Sequence, residues 1–270
     1  MVADWPVGPA PRRVEFPALS VSLECQAWGA APTPNRPCLV LLHEGLGSVA
    51  LWRGFPAALS AHTGLGVLAW SRAGHGHSDA RPTPWTADYL SRDADTVVAP
   101  MLDRFGMDQA ILVGHSDGGS VAAGYAGSAA GASDCRVRAL VLLAPHFFTE
   151  PDQLASIRGI GETYRTTDLP QRMARHHRDA DRLFFGWHDA WTSPEFAVAA
   201  LQTRLPRIRC PVLGLQGADD EYGSAAQLKA LDACAGPVST CLIPACGHSP
   251  HLEKADETLA AISGFVGSVS

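Results

Sequence analysis

Short runs of apolar residues recur along the chain, and each run ends at a polar or turn-forming residue. They lie at residues 39–42, 67–70, 110–113, 139–144 and 212–215. Within each run the apolar residues follow one another without alternation, which is typical of strands buried on both faces of a parallel sheet. The pattern therefore predicts a parallel sheet with these runs as its core strands.

Segments with helical character separate the apolar runs. Residues 51–62 follow a Gly-Ser turn, residues 86–105 place apolar side chains at near-helical spacing, and residues 118–130 are rich in alanine. Alternating strands and helices predict a doubly wound α/β sheet. Before it, residues 14–16 and 21–25 alternate apolar and polar positions, which predicts an antiparallel hairpin at the sheet edge.

The alternation stops between Pro145 and Pro211, where the composition is helical and no strand-like run occurs. A long insertion of this kind often forms a cap over a site. We therefore predict a mostly parallel α/β core made of residues 1–146 and 206–270, with a helical cap of residues 147–205 inserted into it.

The charge of the chain argues against nucleic acid and anionic membranes as partners. The net charge of −6 and the absence of any Lys/Arg run provide no electrostatic footprint for nucleic acid or for an anionic membrane. A small-molecule substrate is the expected partner, and the sequence leaves open whether the chain is a monomer or a homo-oligomer. No stretch has the unbroken apolar character of a signal peptide or membrane span, so we expect a cytoplasmic protein.

The cysteines argue against a disulfide scaffold and against a zinc site. There are seven of them, an odd number, and they are scattered without a CxxC pair. We expect reduced thiols, no bound metal and no cofactor.

A nucleophile motif follows the strand at residues 110–113. Residues 114–118 read GHSDG, which matches G-x-S-x-G, the sharp strand-to-helix turn that exposes a serine. A serine hydroxyl needs a base to remove its proton, and the base needs a carboxylate to orient it. Residues 216–222 and 244–251 contain acidic residues and histidines, and both segments follow predicted strands, where α/β sheets place their ligands.

Several motifs in this order resemble the α/β-hydrolase fold superfamily over nearly the whole chain. They are HEGLGS at residues 43–48, SRAGHGHS at 71–78, GHSDGG at 114–119, GADD at 217–220 and GH at 247–248. The order serine, acid, histidine is the one that this fold uses. The GHSDGG turn is also similar to that of the valacyclovirase (biphenyl hydrolase-like) group.

The resemblance implies a catalytic triad. Ser116 would be the nucleophile, His248 the general base and then the general acid, and Asp220 the residue that orients His248. The G-x-x-D spacing favours Asp220, while Asp219 remains the alternative acid. His251 is a weaker alternative to His248, and we expect it in the first turn of the final helix.

The oxyanion hole would use two backbone N–H groups. One would come from Asp117 and the other from Gly45 or Leu46. Here the chain departs from the family pattern, because Glu44 replaces the usual glycine, and the sequence does not show which loop amide points inward.

Four side chains are candidates for substrate binding. The Asp117 carboxylate either stabilises the N-terminus of its helix or binds a cationic substrate group, as the resemblance suggests. Phe184, Trp187 and Trp191 of the cap either line a pocket or pack in the interior.

Together these residues predict a metal-independent serine hydrolase that cleaves a small carboxylic ester, or a related acyl substrate, through an acyl-enzyme intermediate. The alternatives within the enzyme class are a carbon–carbon bond hydrolase of an aromatic degradation pathway, a thioesterase, a lactonase and an amidase. The non-enzymatic alternative is a small-ligand binding protein on the same fold.

Overall fold

The computed structural model describes residues 5–196 and 198–269. Within these residues the strands form one eight-stranded sheet with the order β1-β2-β4-β3-β5-β6-β7-β8. The strands are β1 (Arg12–Phe16), β2 (Val21–Trp28), β3 (Cys38–Leu42), β4 (Gly66–Trp70), β5 (Ala110–His115), β6 (Val137–Leu143), β7 (Val212–Gly217) and β8 (Val238–Ile243). Antiparallel pairing joins β1 to β2 and β2 to β4, and all other neighbours are parallel. The predicted α/β-hydrolase fold is therefore confirmed.

Helices connect the strands. They are α1 (Phe55–Thr63), α2 (Tyr89–Thr96), α3 (Val98–Arg104), α4 (Asp117–Ala126), α5 (Pro151–Thr166), α6 (Leu169–Ala174), α7 (Ala180–Thr192), α8 (Ala199–Gln202), α9 (Ala225–Ala230), α10 (Pro250–Glu253) and α11 (Ala255–Val269). None of the helices in the described residues is long and apolar enough to cross a bilayer.

The continuous apolar runs form strands because both faces of the sheet are covered. In β3, Val40 and Leu42 belong to one hydrophobic cluster, and Leu39 and Leu41 belong to the other. Side chains of α2, α3 and α4 contribute to the first cluster, and those of α1 and α11 contribute to the second. Successive strand residues point to opposite faces, so a strand between two helical layers has no polar position.

Two predicted helices are interrupted. The segment at residues 86–105 forms α2 and α3, because Pro100 in α3 lacks an N–H and its ring would clash with the carbonyl of Thr96, where α2 ends. The segment at residues 51–62 begins as a 3-10 turn, and α1 starts only at Phe55, since Arg53 takes a positive φ of 51°.

The strands at both edges of the sheet have less apolar sequences than the central strands. The predicted hairpin is present as β1 and β2. Strand β8 begins earlier than the apolar residues 241–243 indicate, because its residues from Ser239 to Leu242 are exposed at the sheet edge and need no hydrophobic side chains.

The segment between β6 and β7 contains α5 to α8, as the helical composition predicted. It has a small core of its own, in which the rings of Tyr164 and Phe184 stack with centroids 3.7 Å apart. It is tied to the sheet domain by Nδ1 of buried His177, which accepts a hydrogen bond from the backbone N–H of Gly76 at 2.9 Å. Helices α5 and α7 also provide part of the wall of the pocket described below.

Candidate active site

Ser116 lies at the sharp turn between β5 and α4. Its φ of 52° and ψ of −120° fall outside the regions that L-residues prefer, a strain of about 1–3 kcal/mol that the surrounding structure must hold. The backbone N–H of Ser116 donates to the carbonyl of Leu143 in β6 at 2.8 Å. The turn can form only because Gly118 follows: a Cβ at that position would overlap the carbonyl oxygen of Leu42 in β3.

This close approach predicts a large loss of stability for Gly118→Ala. The added methyl group has to displace the backbone of β3, so we expect the free energy of unfolding to fall by about 3 kcal/mol. Gly264→Ala in α11 is the matched control: no atom lies within 4 Å of its Cβ position, and alanine should stabilise the helix by ~0.5–1 kcal/mol. Urea unfolding midpoints compare the two, and equal midpoints would refute the packing argument.

His248 and Asp220 form a hydrogen-bonded pair beyond the ends of β8 and β7. Nδ1 of His248 lies 2.9 Å from both carboxylate oxygens of Asp220. That carboxylate is fully enclosed, and it also accepts from Nε2 of Gln216 at 2.5 Å and from the backbone N–H of Tyr222 at 2.8 Å. Burial alone raises the pKa of Asp220, but the hydrogen bond and charge of His248 outweigh burial and bring the pKa below its usual value.

The two alternative residues lie elsewhere. Asp219 is exposed, and its backbone N–H donates to the carbonyl of Cys246. His251 lies in the short helix α10 and not in the final helix α11 as expected, because the backbone leaves the helical conformation at Lys254. Its ring is buried against those of Trp52 and Phe55, with centroids 4.8 Å and 5.4 Å away. Burial keeps the pKa of His251 well below that of an ordinary histidine.

Backbone amides of two segments meet near Ser116. Asp117 is the first residue of α4, where a helix leaves its N–H groups without intrahelical partners. Gly45 and Leu46 lie in the loop after β3. Across residues 5–196 and 198–269, the N–H groups of these three residues donate to no protein acceptor. Gly45, Leu46 and Asp117 line the same pocket as Ser116, so their amides stay the candidates for binding an oxyanion.

The loop that carries Gly45 is held by buried polar side chains that sequence reasoning left without a role. Arg72 donates to the carbonyls of His43 and Glu44 at 3.0 Å and 2.9 Å, and Nε2 of His75 lies 3.0 Å from the carbonyl oxygen of Gly45. Arg72 and His75 belong to the 71–78 motif, so the signal was present. Its role depends on contacts between distant segments, which the sequence does not display.

Glu44, the departure from the family pattern, keeps its side chain beside the pocket. The side chain is 29% exposed, and Oε2 lies 3.6 Å from Nδ1 of His115. Burial raises the pKa of Glu44, but His115 and then His251 have the larger opposite effect and lower it to about 2. Glu44 is therefore ionised at neutral pH.

A pocket of about 520 Å³ opens at Ser116 and His248. The residues that line it come from the β3 loop, the serine turn, the cap and the acid turn: Glu44, Gly45, Leu46, Ser116, Asp117, His146, Ile157, Ile160, Trp187, Trp191, Tyr222 and His248. Trp187 and Trp191 thus lie where the sequence placed candidate pocket residues. Phe184 does not: it is fully buried inside the cap, because its ring is stacked between Tyr164 and His188.

Asp117 is buried and has a protein partner. The hydroxyl of Tyr89 donates to its carboxylate, and Nε1 of Trp191 donates to that hydroxyl at 2.9 Å. Burial raises the pKa of Asp117, with partial compensation from the charge of Arg72 and from hydrogen bonds. The geometry therefore favours a structural role over binding of a cationic group, because the carboxylate already accepts a hydrogen bond from the buried hydroxyl of Tyr89.

His146 is a pocket residue that sequence reasoning missed. Its ring stacks on that of His248, with centroids 5.5 Å apart and an angle of 19° between the planes. It follows β6 directly, and its position at the carboxyl end of a core strand was the available signal.

The sequence pattern of the Alpha/beta hydrolase family matches residues 39–262. The chain belongs to the alpha/beta hydrolase family. No curated protein matches the sequence of this hydrolase significantly. Within the described residues, no three His, Cys, Asp or Glu side chains are grouped in a way that would hold a metal ion.

Solved structures share the fold of this hydrolase at low sequence identity. A hydrolase from Pseudomonas aeruginosa PA01 is 22% identical with a TM-score of 0.67, and the match covers 96% of this chain and 99% of that one. The enol-lactonase from Burkholderia xenovorans LB400 is 23% identical, with a TM-score of 0.66 and coverage of 92% and 97%. A thermophilic esterase from Thermogutta terrifontis is 19% identical, with a TM-score of 0.67 and coverage of 96% and 99%.

Proposed function

We propose that this alpha/beta hydrolase is a serine hydrolase that cleaves a small carboxylic ester through an acyl-enzyme intermediate. One observation carries the proposal: a serine on a strained strand-to-helix turn shares a pocket with a histidine whose Nδ1 is held by a buried carboxylate. A structural histidine has no need of an ionised, enclosed acid on one ring nitrogen while the ring also lines a cavity.

The proposed reaction begins when Oγ of Ser116 attacks the ester carbonyl and Nε2 of His248 takes the serine proton. Asp220 holds the ring in the tautomer that leaves Nε2 free, and it stabilises the imidazolium that forms. The amide of Asp117 and one of those of Gly45 and Leu46 bind the oxyanion, each contributing about 3 kcal/mol to lowering the barrier.

To complete acylation, the carbon–oxygen bond to the alcohol breaks, His248 gives its proton to the leaving alcohol, and the acyl group stays on Oγ of Ser116. In the second half of the reaction, water attacks the acyl-enzyme with His248 as its base, His248 returns the proton to Oγ of Ser116, and the carboxylic acid is released. Leu46, Ile157 and Ile160 provide an apolar wall against which an acyl group can pack. Thioesters, lactones and carbon–carbon bonds next to a carbonyl remain alternative substrates for the same groups.

Turnover of p-nitrophenyl butyrate tests this proposal. We expect a rapid burst of one nitrophenolate per chain, followed by a slower steady state, because the activated nitrophenyl ester acylates the serine faster than the acyl-enzyme hydrolyses. Absence of both phases with this ester, with a thioester and with a lactone would contradict acyl transfer. Binding of these compounds without turnover would favour the ligand-binding alternative.

The ionised carboxylate of Glu44 at the pocket wall predicts discrimination by charge. We compare p-nitrophenyl esters of butyric acid and of succinic acid, whose free carboxylate would be repelled. Unit charges 4 Å apart near a protein surface interact by ~4 kcal/mol, so Glu44→Gln should raise kcat/KM for the succinate relative to the butyrate by at least about tenfold.

Glu162→Gln on exposed α5 is the control for that comparison, because it removes the same charge away from the pocket. The ratio between two substrates within one variant cancels any general loss of activity from a disturbed loop. An unchanged ratio in Glu44→Gln would show that this carboxylate does not face the acyl group.

A further inference from the structure

Two side chains that line the pocket each contain a buried polar atom without a protein partner. These atoms are Nε1 of Trp187 and Nδ1 of His146, and among the described residues neither has a hydrogen bond. Trp187 is 8% exposed and His146 is 2% exposed, yet both line the same cavity as Ser116. Burying an unpaired polar group costs free energy, so such groups are rare in folded proteins and call for a physical explanation.

Trp187 places a hydrogen-bond donor beside the oxyanion loop. Its Nε1 lies so close to Gly45 that a Cβ on residue 45 would collide with it. Oδ2 of Asp117 would lie 2.9 Å from that same Cβ. An indole N–H can only donate, so it requires an acceptor. Trp191, one turn further along α7, shows the satisfied case, since its Nε1 donates to the hydroxyl of Tyr89 at 2.9 Å.

His146 places a hydrogen-bond acceptor on the same wall. Its Nε2 lies 3.0 Å from the carbonyl oxygen of Tyr222. A carbonyl only accepts, so Nε2 carries the proton and Nδ1 is left with a lone pair. Burial and the charge of neighbouring His248 lower the pKa of His146 to about 3, which keeps the ring neutral.

The position of His146 is also fixed. Oγ of Ser120 in α4 donates to the His146 carbonyl at 2.7 Å and lies 3.0 Å from its backbone nitrogen. The ring is packed between His248 and Trp191, with centroids 5.5 Å away in both cases. These contacts therefore hold the ring in one orientation, with Nδ1 left free to accept a hydrogen bond.

We propose that Trp187 and His146 form a polar subsite that selects a hydroxylated carboxylic ester over a plain alkyl ester. The substrate brings an oxygen acceptor to the Trp187 N–H and a hydroxyl donor to Nδ1 of His146. A site with buried polar groups of this kind discriminates strongly, because an analogue without the matching group leaves them unpaired. The substrate class rests on the proposed function, whereas the subsite itself does not require turnover.

Binding to the Ser116→Ala protein separates these two claims. Calorimetry measures Kd for ethyl butyrate and for its 2-hydroxy and 3-hydroxy derivatives. We expect one hydroxylated ester to bind about tenfold more tightly than ethyl butyrate, as one well-made hydrogen bond allows. In the Ser116→Ala background, Trp187→Phe should bring the ratio of the two Kd values close to one, since phenylalanine keeps an aromatic ring but has no N–H.

Trp70→Phe in β4 is the matched control, because it makes the same change at an indole that is also buried without a partner but does not line this pocket. It should retain the preference for the hydroxylated ester. His146→Phe removes the proposed acceptor Nδ1 and should also abolish the preference for the hydroxylated ester. It replaces Trp187→Phe if that variant fails to fold.

Equal affinity for all three esters, or the same preference in Trp187→Phe and Trp70→Phe, would overturn the subsite. If the preference is present in Ser116→Ala but the wild-type chain hydrolyses none of the esters, the subsite stands and the proposed function fails. If the esters are hydrolysed without a hydroxyl preference, the function stands and the subsite fails.

Discussion

Replacing Ser116 by alanine is expected to lower kcat for p-nitrophenyl butyrate by about 10⁶-fold, the size of effect seen when the nucleophile of a serine hydrolase is removed. Alanine has no oxygen to attack the carbonyl. The pocket and both amide segments remain, so the ester still binds. Steady-state rates at saturating ester, with wild-type and variant protein purified in parallel, measure the loss.

Ser249→Ala is the control for this experiment. Ser249 follows His248 directly, and its backbone N–H is bonded to Glu253, so removal of its hydroxyl leaves the turn intact. We expect nearly wild-type turnover. Rates in Ser116→Ala that match those of Ser249→Ala would show that the nucleophile lies elsewhere.

Asp220→Asn is expected to lower kcat by about 10⁴-fold with little effect on KM. Asparagine has nearly the same shape and leaves one oxygen for Gln216 or for the backbone N–H of Tyr222. Its amide cannot stabilise the imidazolium, and its N–H₂ group favours the His248 tautomer with the proton on Nε2. Such a histidine cannot take the proton of Ser116.

The adjacent Asp219→Asn provides a control within the same turn. Asp219 is exposed, so this variant should retain wild-type kinetics. Parallel measurements of kcat and KM on both variants decide between the two acids. A large loss in Asp219→Asn together with an active Asp220→Asn would transfer the role to Asp219.

Much of the fold was readable from the sequence, because burial on both faces of the sheet requires long apolar runs in β3, β5 and β6. The edge strand β8 was read only in part, since an exposed face needs no such run. The break between α2 and α3 had a visible cause in Pro100, but the apolar spacing continued across it.

The candidate triad residues stood out because each follows a strand of the sheet and carries a distinctive local motif. The pocket wall was harder to predict, since it is assembled from helices of the cap whose orientation depends on long-range packing. Phe184 and Trp187 lie three residues apart in α7, yet one is enclosed within the cap and the other faces the pocket. Hydrophobicity alone does not distinguish these two positions.

The roles of Asp117 and His146 also depended on distant partners. The sequence placed Asp117 at a helix start, but the hydroxyl that it accepts from belongs to Tyr89 in α2. The tautomer of His146 is set by the carbonyl of Tyr222, more than seventy residues away along the chain. Neither contact has a local signature in the chain.

Mapping of a covalent phosphonate adduct tests the central claim most directly. A fluorophosphonate reacts quickly only with a serine whose hydroxyl is activated by a base and whose neighbours bind the developing oxyanion. We predict one adduct per chain, located on Ser116 by mass spectrometry of the digested protein, and much slower labelling of Asp220→Asn. A wild-type chain that stays unlabelled, or one labelled at another serine, would contradict the assignment of Ser116, His248 and Asp220 as a catalytic triad.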